Sequence, residues 1–116
     1  MKIKRQKPYK YDRIVSEVER IITEVIDYEI SDPRVTSNCT VTGILLSKDY
    51  SYCKVYVEIL GDDEKNVLEG LKNSSGYIRH IIRDQLDLRK VPELAFIKDD
   101  TKEKAKRIEE LLEQIK

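Results

Sequence analysis

Lys72, Gly76, Arg79 and Arg83 succeed one another at steps of four, three and four residues, in a stretch whose apolar residues keep a helical phase. At about 100° per residue these four project within about 60° of one another, beside the apolar stripe rather than in it. Fixed positive charges in that arrangement suit a phosphate chain, and a glycine among them removes the side chain that would hold a partner's backbone away. Amides freed at a break in the helix would donate to the same anion. Arg89 and Lys90 extend the basic region beyond the helix. A second set, Lys2, Lys4, Arg5, Lys7 and Lys10, is interleaved with Tyr9 and Tyr11, a make-up suited to salt-sensitive phosphate contacts and base stacking. The plainer alternative is that Gly76 ends a helix, and the basic residues solvate its surface and the start of the chain.

Residue types for bond chemistry are scarce. His80 is the only imidazole, and its neighbours Arg79, Ile81, Ile82 and Arg83 supply neither a nucleophile nor an orienting group, so a surface position is expected. No phosphate-binding G-x-x-x-x-G-K, dinucleotide fingerprint or H-E-x-x-H occurs. Asp62-Asp63 and Asp99-Asp100 sit where helix starts favour acidic residues. Two cysteines and one histidine are too few for a structural zinc site. The expectation is a non-enzyme with no catalytic residue, metal or cofactor.

The 116 residues make one ordinary domain. Twenty-two basic and 22 acidic residues cancel, but not uniformly. Residues 1–13 carry six basic and one acidic, 14–34 carry two and six, and 77–90 carry four and two. Zero net charge is therefore a division of surfaces. No apolar run approaches the ~18–20 residues of a membrane span, and the charged start lacks the apolar centre of a signal peptide, which points to the cytoplasm and no membrane partner.

The elements that must position these residues are set by periodicity. Residues 1–10 read as a basic, flexible or loosely docked arm. From Tyr11, the residues Ile14, Val18, Ile21, Ile22, Val25 and Ile26 recur at helical steps, and the helix must stop by Asp32, ahead of Pro33. CTVTGILLS (39–47) and YCKVYVEIL (52–60) form a hairpin turning near Lys48 to Tyr50. That pairing sets Cys53 opposite about residue 45 and Cys39 opposite about residue 59, so both stay reduced. A helix comes after Gly61-Asp62-Asp63 and keeps one phase through Leu86 across Asn73-Ser74-Ser75-Gly76, either as two helices or as one bent helix. LAFI (94–97) gives a third strand. A final helix over 101–116, packed on the domain or extending from it, carries a stripe of Ile108, Leu111, Leu112 and Ile115. The class is α+β, with a three-stranded sheet and a kinked helix pair, and the domain proper spans 11–100.

Seven short motifs occur in order along this chain: Arg13-Ile14-Val15, Asp32-Pro33-Arg34, Thr40-Val41-Thr42, Ser47-Lys48-Asp49, Lys54-Val55-Tyr56-Val57, Ser75-Gly76-Tyr77-Ile78-Arg79 and Leu88-Arg89-Lys90-Val91-Pro92-Glu93-Leu94. In that order, from about Tyr11 to Leu112, they resemble the bacterial ribosome-binding factor A family. The resemblance implies a type II KH-like fold, α-β-β-α-α-β, the order already read from periodicity. It also implies an interhelical Ala-x-Gly kink in place of a G-x-x-G loop; here Ser74-Ser75-Gly76 keeps the glycine and puts serine in the alanine position.

By function, the resemblance implies a monomeric assembly factor that binds the free 30S subunit and its 16S rRNA. It aids late maturation, 5′-end processing and growth in the cold, and a maturation GTPase promotes its release. Carried to this chain, the rRNA-facing residues are Lys72, Gly76, Arg79 and Arg83, supported by Arg89, Lys90 and the arm residues Lys4, Arg5, Lys7 and Lys10. Arg34 is a loop anchor or a contact. On this placement, reversing Arg79 and Arg83 abolishes subunit association without changing the melting temperature. Two other functions remain open: a general KH-like binder of single-stranded RNA off the ribosome, and a protein-docking module using residues 108–115 or the Tyr52/Tyr56 face.

Overall fold

The computed structural model describes residues 6–35 and 39–115, with side chains from Lys10 onward. The order is α1 (Gln6–Tyr28), β1 (Cys39–Leu46), β2 (Tyr52–Ile59), α2 (Glu64–Asn73), α3 (Ser75–Gln85), β3 (Glu93–Lys98) and α4 (Thr101–Ile115). β2 is the central strand, antiparallel to β1 and parallel to β3. This is the α-β-β-α-α-β order with a helix added. No helix among the described residues is long and apolar enough to cross a membrane, and no group of three His, Cys, Asp or Glu among them could hold a metal ion.

α1 starts five residues before the apolar period does, so Gln6 to Lys10 are helix and not arm. Pro8 permits this because it falls in the first turn, where backbone N–H groups have no intrahelical acceptor to lose. Lys2, Lys4 and Arg5 lie outside the described residues. The stripe of α1 meets the expected face: Ile14, Val18, Ile21, Ile22, Val25 and Ile26 are buried. They pack with Cys53, Val55 and Val57 of β2, Val67 and Leu71 of α2, and Ile78 and Ile82 of α3. Each such side chain contributes roughly 1.5–3 kcal/mol of burial.

A bulge between Val41 and Gly43 shifts the hairpin by one residue, so Cys53 faces Leu46 rather than residue 45, while Cys39 faces Ile59. Both thiols are free, and burial pushes Cys39 up to about 11 and Cys53 up to about 12. The bulge turns Thr42 towards Asp99, which accepts from its hydroxyl at 2.6 Å. Asp99 also accepts from the Thr101 hydroxyl at 2.6 Å and the Thr101 N–H at 3.0 Å, which caps α4. Beyond this, α4 is tied by Lys102 to Glu58 and by Glu103 to Lys98, and none of its residues is buried. It extends from the domain.

Two of these turn carboxylates make acid stability predictable. The Thr101 and Thr42 hydroxyls hold Asp99 at about 2, and the Ser51 N–H with the Ser47 hydroxyl holds Asp49 at about 2, both below the ordinary 3.8. A lowered native pKa contributes stability that is complete above the unfolded value and is lost as pH falls through the native one. The melting temperature should therefore fall between about pH 4 and about pH 2, and Asp49→Asn with Asp99→Asn should flatten that fall in circular dichroism melts. An unchanged profile in the double variant would refute it.

Candidate nucleic-acid interface

α2 and α3 are two helices separated by one residue. Ser74 has φ −90° and ψ −2°, between helical and extended geometry. Its N–H donates to the carbonyls of Gly70 (3.1 Å) and Leu71 (3.0 Å), so this amide is not available to an anion. The Ser74 hydroxyl donates to Gly70 O at 3.0 Å, and Ser74 O accepts from Ile78 N–H at 3.1 Å, carrying the chain directly into α3. Serine thus supplies its own satisfaction at the kink.

The two glycines flanking this break have opposite environments. Gly76 is exposed, and a Cβ added there would meet nothing within 4 Å. No contact with a described residue requires glycine there. Gly70 is buried, and an added Cβ would lie 2.8 Å from Val35 Cγ2 and 3.3 Å from an Asp32 carboxylate oxygen. That oxygen belongs to a loop closed on itself: Arg34 donates to Asp32 through its backbone N–H (3.0 Å) and its guanidinium (2.7 Å), and reaches Glu69 of α2 at 3.3 Å. Arg34 is therefore an anchor that docks the loop on α2 through Gly70. Gly76→Ala should raise stability by about 0.5–1 kcal/mol through helix propensity. Gly70→Ala should lower it by about 1–3 kcal/mol, because buried Val35 must give way. Urea denaturation of the two variants checks both signs.

On α3, Gly76 and Arg83 share a direction to within about 20°. Both are exposed, and Arg83 has no ion pair among the described residues. His80 borders the same face and lies 3.3 Å from Asp84. Lys72 lines a groove of about 510 Å³ between α2 and β3, floored by Leu68, Leu94 and Phe96. Arg79 departs from the expected set. Its guanidinium donates to Pro92 O (3.0 Å) and Val91 O (3.1 Å), and it is only partly exposed. The side chain holds the chain leading into β3, in a direction that the helical angle alone does not reveal. Its reversal cannot be expected to leave melting unchanged.

Basic residues whose side chains are described gather at the other end of α3. Lys10, Arg13, Arg89 and Lys90 line a cleft of about 760 Å³ together with the hairpin turn. Lys90 donates to the Ser51 hydroxyl at 3.2 Å. Tyr11 is not free for base stacking: its ring stacks on Tyr50 with centroids 6.0 Å apart, Lys48 Nζ lies 4.1 Å from its centre, and its hydroxyl donates to Leu46 O. The side chains of Lys7 and Tyr9 are outside those described. Arg13 and Lys48 stand in motifs of the sequence, but their place beside the cleft, like the close packing at Gly70, arises only from the pairing of distant segments.

Residues 10–112 match the family model of ribosome-binding factor A. The chain belongs to that family. The ribosome-binding factor A of Clostridium beijerinckii is 39% identical over 110 residues, 92% of this chain and 93% of its own. That of Clostridioides difficile is 37% identical over 103 residues, 89% of this chain and 82% of its own. The crystal structure of ribosome-binding factor A from Thermus thermophilus aligns with a TM-score of 0.67 at 28% identity, covering 75% of this chain and 92% of that one. A homology model of the Thermus thermophilus factor, fitted into the cryo-EM map of a 30S complex, aligns with a TM-score of 0.63 at 26% identity, covering 76% of this chain and 93% of that one. Within this family fold, the present chain carries the kink, the groove and the basic face described above.

Proposed function

We propose that this protein binds the free 30S subunit in the cytoplasm, as a monomer, and contacts 16S rRNA during late maturation, including processing of the rRNA 5′ end and adaptation to cold. The observation that carries this reading is the family membership over residues 10–112, together with a structural relative fitted into a 30S complex. The protein acts by binding, without bond chemistry, and leaves when a maturation GTPase drives release. Lys72, Gly76 and Arg83 face the rRNA, with Arg89, Lys90 and Lys10 in support, while Arg79 acts as a positioning residue for the approach to β3. Gly76 fits this role because nothing among the described residues calls for a glycine there.

Phosphate contacts make affinity fall steeply with salt. In a sucrose gradient the untagged protein should travel with free 30S particles at low salt and leave them as salt rises. Migration with 70S ribosomes, or with no particle at all, would count against this reading. One observation favours a second reading, a protein docked on α4: Ile108, Leu111, Leu112 and Ile115 are all exposed. In that case removing residues 101–116 abolishes particle association, whereas reversing Lys72 and Arg83 does not.

A further inference from the structure

We propose that the cleft at the far end of α3 is a second RNA subsite, which takes one unpaired nucleotide with its base on an apolar floor and its flanking phosphates on Arg13 and Arg89. The inference rests on the RNA-binding reading above and gives its supporting residues Lys10 and Arg89 a subsite of their own, roughly 14 Å along α3 from Gly76. The cleft is formed by the start of α1, the β1–β2 turn and the α3–β3 connection, three segments far apart in sequence. Its volume of about 760 Å³ falls within the ~300–1,000 Å³ typical of small-ligand sites.

Its lining separates by chemistry. Ile14, Tyr50, Leu86 and Leu88 supply apolar surface, all of it buried or half-buried. Tyr50 has φ 64°, the only positive value at a non-glycine residue among those described, and its ring stacks on Tyr11. A tyrosine at such a φ is sterically disfavoured, so the ring stands in a position that the backbone alone would not choose. The charges do not cancel locally. Glu17 is engaged by Arg20 at 2.7 Å, and Asp49 is turned to Ser47 and Ser51, which leaves Asp87 as the carboxylate without a partner among the described residues. Against it stand Lys10, Arg13 and Arg89, none of which forms an ion pair with a described residue.

Unpaired cations around an apolar floor are what a single strand requires, phosphates held by charge and a base by its face. Asp87 adds an acceptor for a base amino group, which would favour bases that carry one. A peptide of either charge would leave part of this lining unmatched.

The test is titration of the 15N-labelled full chain with pentanucleotides of A, C and U, with ribose 5-phosphate and inorganic phosphate as controls. The amides of Tyr50, Leu86 and Leu88 should shift with pentanucleotide and not with either control, more strongly for A and C than for U. Arg13→Glu with Arg89→Glu should weaken those shifts by about tenfold or more, with unchanged circular dichroism. Absence of shifts at these three amides, or equal shifts with ribose 5-phosphate, would overturn the inference. Reversing Lys72 and Arg83 should leave the cleft shifts in place. Loss of 30S association in the wild type would sink the functional reading without removing the cleft shifts, so the two failures are distinguishable.

Discussion

Reversing Lys72 and Arg83 together should lower affinity for the free 30S subunit on the order of a hundredfold at ~0.1 M salt, and should make the salt dependence shallower by about two in log–log slope. Both side chains are exposed and neither forms an ion pair with a described residue, so no described contact resists their reversal. The melting temperature of the variant should therefore stay within a degree or two of wild type, as is usual for surface substitutions. Sedimentation at several salt concentrations reads the effect, and the slope is the more telling number. A hundredfold loss with an unchanged slope would mean that the variant had broken something other than phosphate contacts. Unchanged co-sedimentation would remove the α2–α3 face from the interface.

Arg79→Ala should destabilise the fold by about 2–3 kcal/mol, because a charged group donating two hydrogen bonds is removed and the carbonyls of Val91 and Pro92 lose their donors. Pro92 is itself fully buried, so water cannot easily replace the lost donor. For a domain of this size the loss corresponds to roughly 10 °C in melting temperature. Arg79→Lys should recover only part of it, since an ammonium cannot span two carbonyls in the fixed fork of a guanidinium. Thermal melts of the two variants give the order wild type, lysine, alanine. If Arg79→Ala melts like wild type while losing the subunit, Arg79 is a contact and not a positioning residue. Combining Arg79 with Arg83, as the shared helical angle suggests, would mix a loss of folding with a loss of binding.

These two arginines show how far local periodicity reaches. On a helix of α3's pitch, Arg79 and Arg83 differ by about 40°, and from the chain alone both read as basic residues beside the same stripe. What separates them is Val91-Pro92, brought under Arg79 when β3 pairs in parallel with β2. Glycine behaves the same way. Gly76 stands out in the sequence because it interrupts a basic run, yet no contact with a described residue needs it, while Gly70 sits unremarked inside α2 and carries the docking of the Asp32–Val35 loop. The start of α1 was hidden for another reason: its first turn has no apolar period to reveal it, and Pro8 looks like a breaker unless its place in that turn is known.

The amino-acid order by itself determined the elements and their succession. Apolar residues at steps of three and four in α1, α2 and α3, strict alternation in β2 and small polar residues at the turns are consequences of backbone geometry that any window of about a dozen residues displays. With the ordered motifs, it also determined the family. The tertiary structure alone decided which charged side chains are turned inward and which remain for a partner. It withdrew Arg79 and Tyr11 into internal contacts. It left Lys72 and Arg83 exposed, and it gathered Lys10, Arg13 and Arg89 from opposite ends of the domain sequence around one cleft. A side chain's availability depends on what the rest of the chain brings within about 3 Å of it, and no local pattern carries that distance.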